Sequence, residues 1–258
     1  MDKVIEKLKS DPQVNAVFIT GSVSVGHKKS YSDIDLVVIL NENKDNLYCL
    51  YKYTEDIFTE VFFFDLNDLE RMRSLKSIPS DNFDAIFIDW LKKSDIIFDK
   101  SGALVDLKSK LVDIELFNVS DKSKLGYWQR INHNYITDKR YFDSGEDLYL
   151  TALEVKLFYS MEQVICSYFA FRDLPWRGEK NAVLYLREND KDFYELFEKY
   201  IKSSKVDERF RTYSDMFCMV HNVVYKPWYK HNLTILGKNF ELKLDSDVLD
   251  WIKVIFTT

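Results

Sequence analysis

Two short motifs near the N-terminus carry the residue types of a site for phosphate and a divalent cation. An apolar run ends at Gly21 and Ser22, and the pair Asp33 and Asp35 follows after ten intervening residues. Because Gly21 has no Cβ, the backbone there can approach a phosphate closely, and Ser22 adds a hydroxyl donor. On a strand, the two aspartates would place their carboxylates on one face, about 7 Å apart along the chain. Such a pair can bind a hard divalent cation together with a triphosphate.

The apolar residues around the two aspartates make the combination informative. Ile34 and the run Leu36–Leu40 predict a buried strand, with both carboxylates at its start. Either motif alone is common, since Gly-Ser after a strand is usually a turn and Asp-x-Asp is usually a solvated strand edge. Buried carboxylates are unfavourable unless their charge is compensated, and a cation is the natural partner. The two motifs together therefore favour a nucleotide and metal site.

This pattern resembles the signature of the nucleotidyltransferase superfamily that includes DNA polymerase β. The resemblance is greater to its bacterial branch that modifies aminoglycoside and lincosamide antibiotics. Gly21, Ser22, Asp33 and Asp35 are the matching positions. The resemblance implies that the aspartates bind two Mg²⁺ ions and that the co-substrate is ATP or another nucleoside triphosphate. Gly21, Ser22 and Ser32 would then contact the nucleotide.

One position departs from the family pattern. Val25 precedes Gly26 here, where many relatives have a basic residue. His27, Lys28 and Lys29 are the nearby alternatives for that phosphate contact.

The resemblance also implies a third carboxylate on a later strand. The segment Thr59–Asp65 is similar to that strand and contains two candidates, Glu60 and Asp65. Glu60 would share its strand face with Phe62 and Phe64, where a carboxylate is unexpected, whereas Asp65 lies at the strand end and is suited to cap the next helix. We therefore expect Glu60 to be the third metal ligand and Asp65 to be a helix cap.

The order of predicted elements indicates an α+β protein, with a small mixed β-sheet nucleotidyltransferase domain followed by an α-helical bundle domain. The predicted elements of the first part are a short helix around Val4–Leu8, strands at Val14–Thr20, Ile34–Leu40, around Glu60 and at Asp95–Phe98, and helices at Leu66–Leu75 and Phe83–Lys92. From Leu104 onward the spacing becomes helical, with predicted helices at Lys124–Tyr141, Glu146–Phe171, Asp190–Ile201 and Val206–Val224. We assign residues 1–112 to the nucleotidyltransferase domain and residues 113–258 to a helical domain that binds the acceptor.

The predicted helix that begins at Glu146 carries the candidate general base. The resemblance implies that a carboxylate of the helical domain deprotonates or positions the acceptor hydroxyl. Glu154 lies about 60° from the centre of the apolar stripe of this helix, and Glu162 lies about 140° away. We expect partial burial to raise the pKa of Glu154 towards the range of a base. The alternative is that Glu154 pairs with a Lys or Arg at the surface, and Asp147 on the same flank is a candidate second contact to a cationic acceptor.

Two aromatic segments in the second half are predicted to be structural. Trp176 follows Pro175 between two predicted helices and is expected to pack as an anchor. Contacts of Arg177 or Lys180 with the triphosphate are the alternative. The cluster Tyr225–Lys230 is expected to pack at a helix end, with stacking on a base or sugar as the alternative.

Composition and charge limit the class of partner. The 258 residues include 36 basic and 42 acidic residues, for a net charge of −6, which argues against a broad electrostatic surface for nucleic acid and is compatible with a cationic small acceptor. The three scattered cysteines indicate neither a zinc cluster nor a disulfide framework. No signal peptide is evident, and no apolar run approaches the roughly 18 residues of a membrane span, so we expect a cytoplasmic protein. The sequence leaves oligomerisation open.

On this resemblance, the chain is predicted to be a magnesium-dependent nucleotidyltransferase. It would transfer a nucleoside monophosphate, AMP from ATP, to a hydroxyl of a small acceptor such as an aminoglycoside or lincosamide antibiotic. One alternative is nucleotidylation of a protein or RNA, as in toxin-antitoxin systems, although the minimal proteins of that kind are shorter. The other is a non-catalytic nucleotide-binding regulatory module, against which the set Asp33, Asp35 and Glu60 argues.

Overall fold

The computed structural model describes residues 1–20, 33–111, 115–117, 119–221 and 224–228. The sequence predictions for Gly21, Ser22, Ser32 and residues 25–29 concern positions outside this part of the chain. Two compact units are present, Met1–Phe117 and Asn118–Thr258.

The first unit combines a mixed sheet with helices. Its described helices are Asp2–Ser10 (α1), Leu66–Arg73 (α2), Phe83–Lys93 (α3) and Ala103–Lys110 (α4). Its described strands are Val14–Thr20 (β1), Ile34–Leu40 (β2), Cys49–Thr54 (β3), Ile57–Asp65 (β4), Ser77–Pro79 (β5), Asp95–Asp99 (β6) and Glu115–Phe117 (β7). Five of these strands form one sheet in the order β3-β4-β2-β1-β6, while β5 pairs separately with β7. The pair β2 and β4 is parallel, and the other pairs in the five-stranded sheet are antiparallel.

Alternation along β2 sets which side chains lie on each face of the sheet. Val37 and Ile39 pack in one apolar cluster with residues of α2, α3 and α4, whereas Leu36 and Val38 pack in a second cluster that α1 covers. These four side chains are at most 1% exposed, and full burial of a side chain of this size contributes about 1.5–3 kcal/mol. Because successive strand residues point to opposite faces, Asp35 lies on the face of Val37 and Ile39.

Local sequence signals explain the end of β4. The carboxylate of Asp65 accepts a hydrogen bond from the Asp68 backbone N–H at 3.0 Å, and the Asp68 carboxylate accepts one from the Asp65 N–H at 3.2 Å. Together they form a capping box at the start of α2. The prediction that Asp65 caps the next helix is therefore confirmed.

The second unit is helical in its described part. Its helices are Asp121–Ser144 (α5), Asp147–Phe171 (α6), Glu179–Asn189 (α7), Lys191–Lys202 (α8) and Val206–Val220 (α9). On α6 the predicted apolar stripe is buried, with Leu153, Leu157 and Val164 at 0% exposure. The predicted α+β class, a mixed sheet followed by helices, is confirmed. None of the helices in the described part of the chain is long and apolar enough to cross a membrane.

The aromatic segments of the second unit pack as anchors. Trp176 meets Phe169 edge to face, with ring centroids 5.7 Å apart. Tyr225 stacks on Phe171 at 4.7 Å, and Trp228 meets Trp128 at 5.7 Å. The structural reading of both segments is confirmed for these residues, while positions 229 and 230 lie outside the described chain.

A buried acidic residue joins three helices of this unit. Asp138 on α5 is fully buried, and its Oδ1 lies 3.4 Å from Lys156 Nζ on α6. Burial raises the pKa of Asp138 above its ordinary value of 3.8, against the opposite effects of Ser160, Lys156 and Tyr213. Burial and the Asp138 charge also raise the pKa of Tyr213 on α9 well above 10.

Candidate metal site

The register of β2 and β4 places Asp35 beside Glu60. In this parallel pair Ile34 lies opposite Thr59, and Asp35 lies opposite Glu60. Neighbouring strands are about 4.8 Å apart, and side chains opposite each other lie on the same face. Two carboxylates that are distant in sequence are thus adjacent in the sheet.

Asp33, the residue immediately before β2, completes a group of three carboxylates. One carboxylate oxygen from each of Asp33, Asp35 and Glu60 lies within 4.8 Å of the other two. Asp33 is exposed, while Asp35 and Glu60 are half-buried. Three like charges this close repel one another, and carboxylate oxygens are the ligands that Mg²⁺ prefers. The donor set and its convergence therefore fit a hard divalent cation.

The surroundings of Glu60 explain its position. Phe62, two residues further along β4, lies 5.0 Å from the Trp90 ring, and Phe64 lies 4.5 Å from the Phe87 ring. Both partners belong to α3, so the predicted shared face of Glu60, Phe62 and Phe64 is the face that the helices cover. The next strand on the other side contributes Thr20, which lies opposite Asp35 and is 2% exposed. Asp35 and Glu60 therefore lie where the packed part of this face ends, and each belongs to a strand that is paired on both sides.

The strand β3 brings a residue to Glu60 that the sequence reasoning missed. Tyr51 lies directly opposite Glu60 in the antiparallel pair of β3 and β4. A hydrogen bond with the Cys49 thiol is the largest cause of a raised pKa at Tyr51, and the charge of Glu60 adds a smaller effect in the same direction. The available signal was the spacing of Tyr51 and Tyr53, two residues apart, which is typical of a strand.

The predicted base lies in the second unit. Glu154 on α6 is exposed, so the expectation of partial burial is wrong. The reason is that Leu153 and Leu157 fill the buried side of the helix, and Glu154 extends to solvent at the margin. Asp147 and Glu162 are also exposed, the latter as predicted. The predicted nucleotide contacts Gly21, Ser22 and Ser32 fall outside the described residues.

Comparison with known proteins supports the interpretation of the first unit. Residues 2–77 match the family model described as "Polymerase beta, Nucleotidyltransferase". These residues include Asp33, Asp35 and Glu60, so the candidate metal site lies within the part of the chain that matches this model.

The other comparisons are less specific. The crystal structure of a nucleotidyltransferase-like protein from Exiguobacterium sibiricum 255-15 is 15% identical, covering 85% of this chain and 72% of that chain, with a TM-score of 0.41. None of the curated proteins compared with the chain matches it.

Proposed function

We propose that this protein is a magnesium-dependent nucleotidyltransferase that transfers AMP from ATP to a hydroxyl of a small acceptor, such as an aminoglycoside or lincosamide antibiotic. The observation that carries the proposal is the convergence of Asp33, Asp35 and Glu60 within 4.8 Å, inside the region that matches the nucleotidyltransferase model. Modification of an antibiotic in this way would make the protein a resistance enzyme.

Each carboxylate has a role in the proposed reaction. Asp33, Asp35 and Glu60 would hold Mg²⁺ next to the triphosphate. An ion held there would lower the pKa of the acceptor hydroxyl and neutralise charge on the departing pyrophosphate. Because strands β2 and β4 hold the backbones of Asp35 and Glu60, and Asp33 directly precedes β2, little backbone reorganisation would be needed during the reaction.

The remaining roles follow from the sequence resemblance. Gly21, Ser22 and Ser32 would contact the nucleotide, and Glu154 would position the acceptor hydroxyl and accept its proton. We assign the transfer chemistry to a domain of residues 1–112 and acceptor binding to a helical domain of residues 113–258. The net charge of −6 supports a neutral or cationic acceptor over nucleic acid.

The test is pyrophosphate release with Mg²⁺, each nucleoside triphosphate and a panel of aminoglycosides and lincosamides. We expect acceptor-dependent release in the wild type and a loss of several orders of magnitude in Asp35→Asn, which keeps the side-chain shape but removes a metal-binding charge. Asp45→Asn is the matched control, because it removes the same charge from an exposed loop position.

Two outcomes would contradict the proposal. Comparable release in Asp35→Asn and the wild type would exclude the assigned site, provided that circular dichroism shows both to be folded. Magnesium-dependent nucleotide binding without release, for every acceptor in the panel, would favour a regulatory module or a macromolecular acceptor instead.

A further inference from the structure

The hairpin of β3 and β4 presents aromatic side chains to solvent. Tyr51, Tyr53 and Phe58, which we call the aromatic edge, are 59%, 72% and 38% exposed. The rings of Tyr51 and Phe58 are nearly parallel, with centroids 6.3 Å apart and an interplanar angle of 10°. The Tyr53 ring meets Phe58 edge to face at 5.6 Å. The three rings thus pack against one another, and much of their surface remains exposed to solvent.

The aromatic edge lies on the same sheet face as the carboxylates. Tyr51 is opposite Glu60 and Tyr53 is opposite Phe58, and Phe58 is two residues before Glu60 on the same strand. Residues that face each other across a ladder, or lie two apart on one strand, share a face. Tyr51 and Phe58 are therefore the neighbours of Glu60 on this face, and Tyr53 adjoins Phe58.

The strand order places the aromatic edge and β1 on opposite sides of the carboxylate-bearing strands β4 and β2. Across the sheet, Tyr51 on β3 is followed by Glu60 on β4, Asp35 on β2 and Thr20 on β1. The predicted nucleotide contacts Gly21 and Ser22 follow β1 in the sequence. Of the three carboxylates, Glu60 is the one whose strand pairs with β3, so the aromatic edge adjoins the site from the side opposite β1.

The charges on this face select the kind of molecule that can bind. Among the described residues, the strand side chains of the hairpin on the carboxylate face are Cys49, Tyr51, Tyr53, Phe58, Glu60, Phe62 and Phe64, and none of them is basic. The hairpin's Lys52 lies opposite Thr59 and belongs to the other face. Aromatic faces beside carboxylates attract cations, whereas aromatic surfaces that bind single-stranded nucleic acid combine stacking with a positive groove.

We propose that the aromatic edge is the acceptor subsite of the proposed reaction and that it binds a positively charged, hydroxylated ring compound. The ring face of the acceptor packs on Tyr51 and Phe58, its protonated amine lies over an aromatic face, and its hydroxyl is directed to Glu60. The nucleotidyl transfer rests on the proposed function, whereas binding of the acceptor to the aromatic edge does not. In that transfer the acceptor oxygen bonds to the α-phosphorus, the bond from that phosphorus to the bridging oxygen breaks, pyrophosphate leaves, and the hydroxyl proton passes to the base of the proposed function, Glu154.

Titration calorimetry without nucleotide or Mg²⁺ tests the subsite. The probes are kanamycin, lincomycin, fully N-acetylated kanamycin, which lacks the positive charges, and a single-stranded oligoadenylate. We expect at least one of the two cationic probes to bind the wild type. Its affinity should fall about tenfold or more in Tyr51→Ala and in Phe58→Leu, and should change little in Tyr51→Phe, which keeps the ring.

Two matched comparisons isolate the aromatic and charge contributions. Leu50→Ala removes a 46% exposed side chain from the other face of β3 and should leave affinity within about twofold of wild type. If kanamycin binds, its N-acetylated form should bind about tenfold more weakly, because the cation–π contribution is lost.

The results that would overturn the subsite differ from those that would overturn the proposed function. Unchanged affinity in both Tyr51→Ala and Phe58→Leu, no binding of either cationic probe, or tight oligoadenylate binding that these variants abolish would each overturn the subsite. If the wild type releases no pyrophosphate but the titrations behave as expected, the proposed function fails and the subsite stands. If release depends on Asp35 while the acceptor KM is unchanged in Tyr51→Ala, the subsite fails and the proposed function stands.

Discussion

At the scale of single residues, the local sequence distinguishes two carboxylates that are five positions apart. Glu60 lies in mid-strand beside two other carboxylates, and Asp65 forms a capping box at the start of α2. Strand alternation and capping preferences depend on near neighbours in the sequence, so both positions could be predicted. Tyr51 could not, because its place beside Glu60 depends on the pairing register of β3 and β4.

The proposed role of Glu154 follows from the sequence resemblance, and a conservative variant tests it. If Glu154 accepts the proton of the acceptor hydroxyl, Glu154→Gln lowers kcat by about 10²- to 10⁴-fold and leaves the KM for ATP unchanged. Steady-state kinetics of pyrophosphate release measure both constants. Glu162→Gln, at an exposed position of the same helix, is the matched control. An unchanged kcat in Glu154→Gln would remove this residue from the mechanism.

Among the secondary-structure elements, the β3–β4 hairpin contains a strand, β3, that the sequence did not predict. Thr54 pairs with Ile57, so the turn consists of Glu55 and Asp56, with φ angles of 52° and 64°. Two-residue turns with both φ angles positive usually contain Asn-Gly or Asp-Gly. Since Glu-Asp lacks that signature, β3 was not predicted, whereas β1 and β2 have the predicted bounds because long apolar runs define them.

The packing of α5, α6 and α9 around Asp138 predicts a pH-dependent stability. Burial raises the pKa of Asp138 above 3.8, so the folded chain holds this proton more tightly than the unfolded chain. The wild type therefore loses stability as pH rises from the unfolded pKa through the folded one, while Asp138→Asn has no carboxyl to ionise. In urea unfolding, the free energy of unfolding of Asp138→Asn relative to wild type should increase between about pH 4 and about pH 7.

The control for this prediction is an acidic residue at the end of the same helix. Asp143 pairs with Lys139 at 2.8 Å, and both side chains are 53% exposed. Exposed pairs of this kind contribute about 0.5 kcal/mol or less, so Asp143→Asn should show little pH-dependent difference from wild type. A pH-independent difference between Asp138→Asn and wild type would show that Asp138 keeps an unperturbed pKa.

At the scale of the whole molecule, the net charge of −6 predicts how salt affects the acceptor. An acidic protein attracts a cationic acceptor, and salt screens that attraction. Between about 50 mM and about 300 mM NaCl, the KM of a cationic acceptor should rise roughly two- to fivefold, while that of its N-acetylated form should stay nearly constant. Equal salt dependence of the two acceptors, measured by pyrophosphate release, would contradict this prediction.

The fold class was predictable because the two units differ in their periodicity. Apolar strand segments dominate before residue 100, and helical spacing dominates afterwards, as in the stripe that contains Leu153 and Leu157. The elements α4, α7 and β7 were not predicted individually. The acceptor could not be derived from periodicity at all, since it depends on which side chains tertiary pairing brings to one face.

The three clustered carboxylates couple cation binding to the stability of the folded chain. Asp33, Asp35 and Glu60 repel one another within 4.8 Å in the folded chain, whereas in the unfolded chain they are much less constrained to be close. A ligand that binds only the folded chain raises its stability, and a divalent cation held by these three side chains would do so. A rise in the melting temperature on addition of a divalent cation would then report occupancy of this site, without nucleotide or acceptor present.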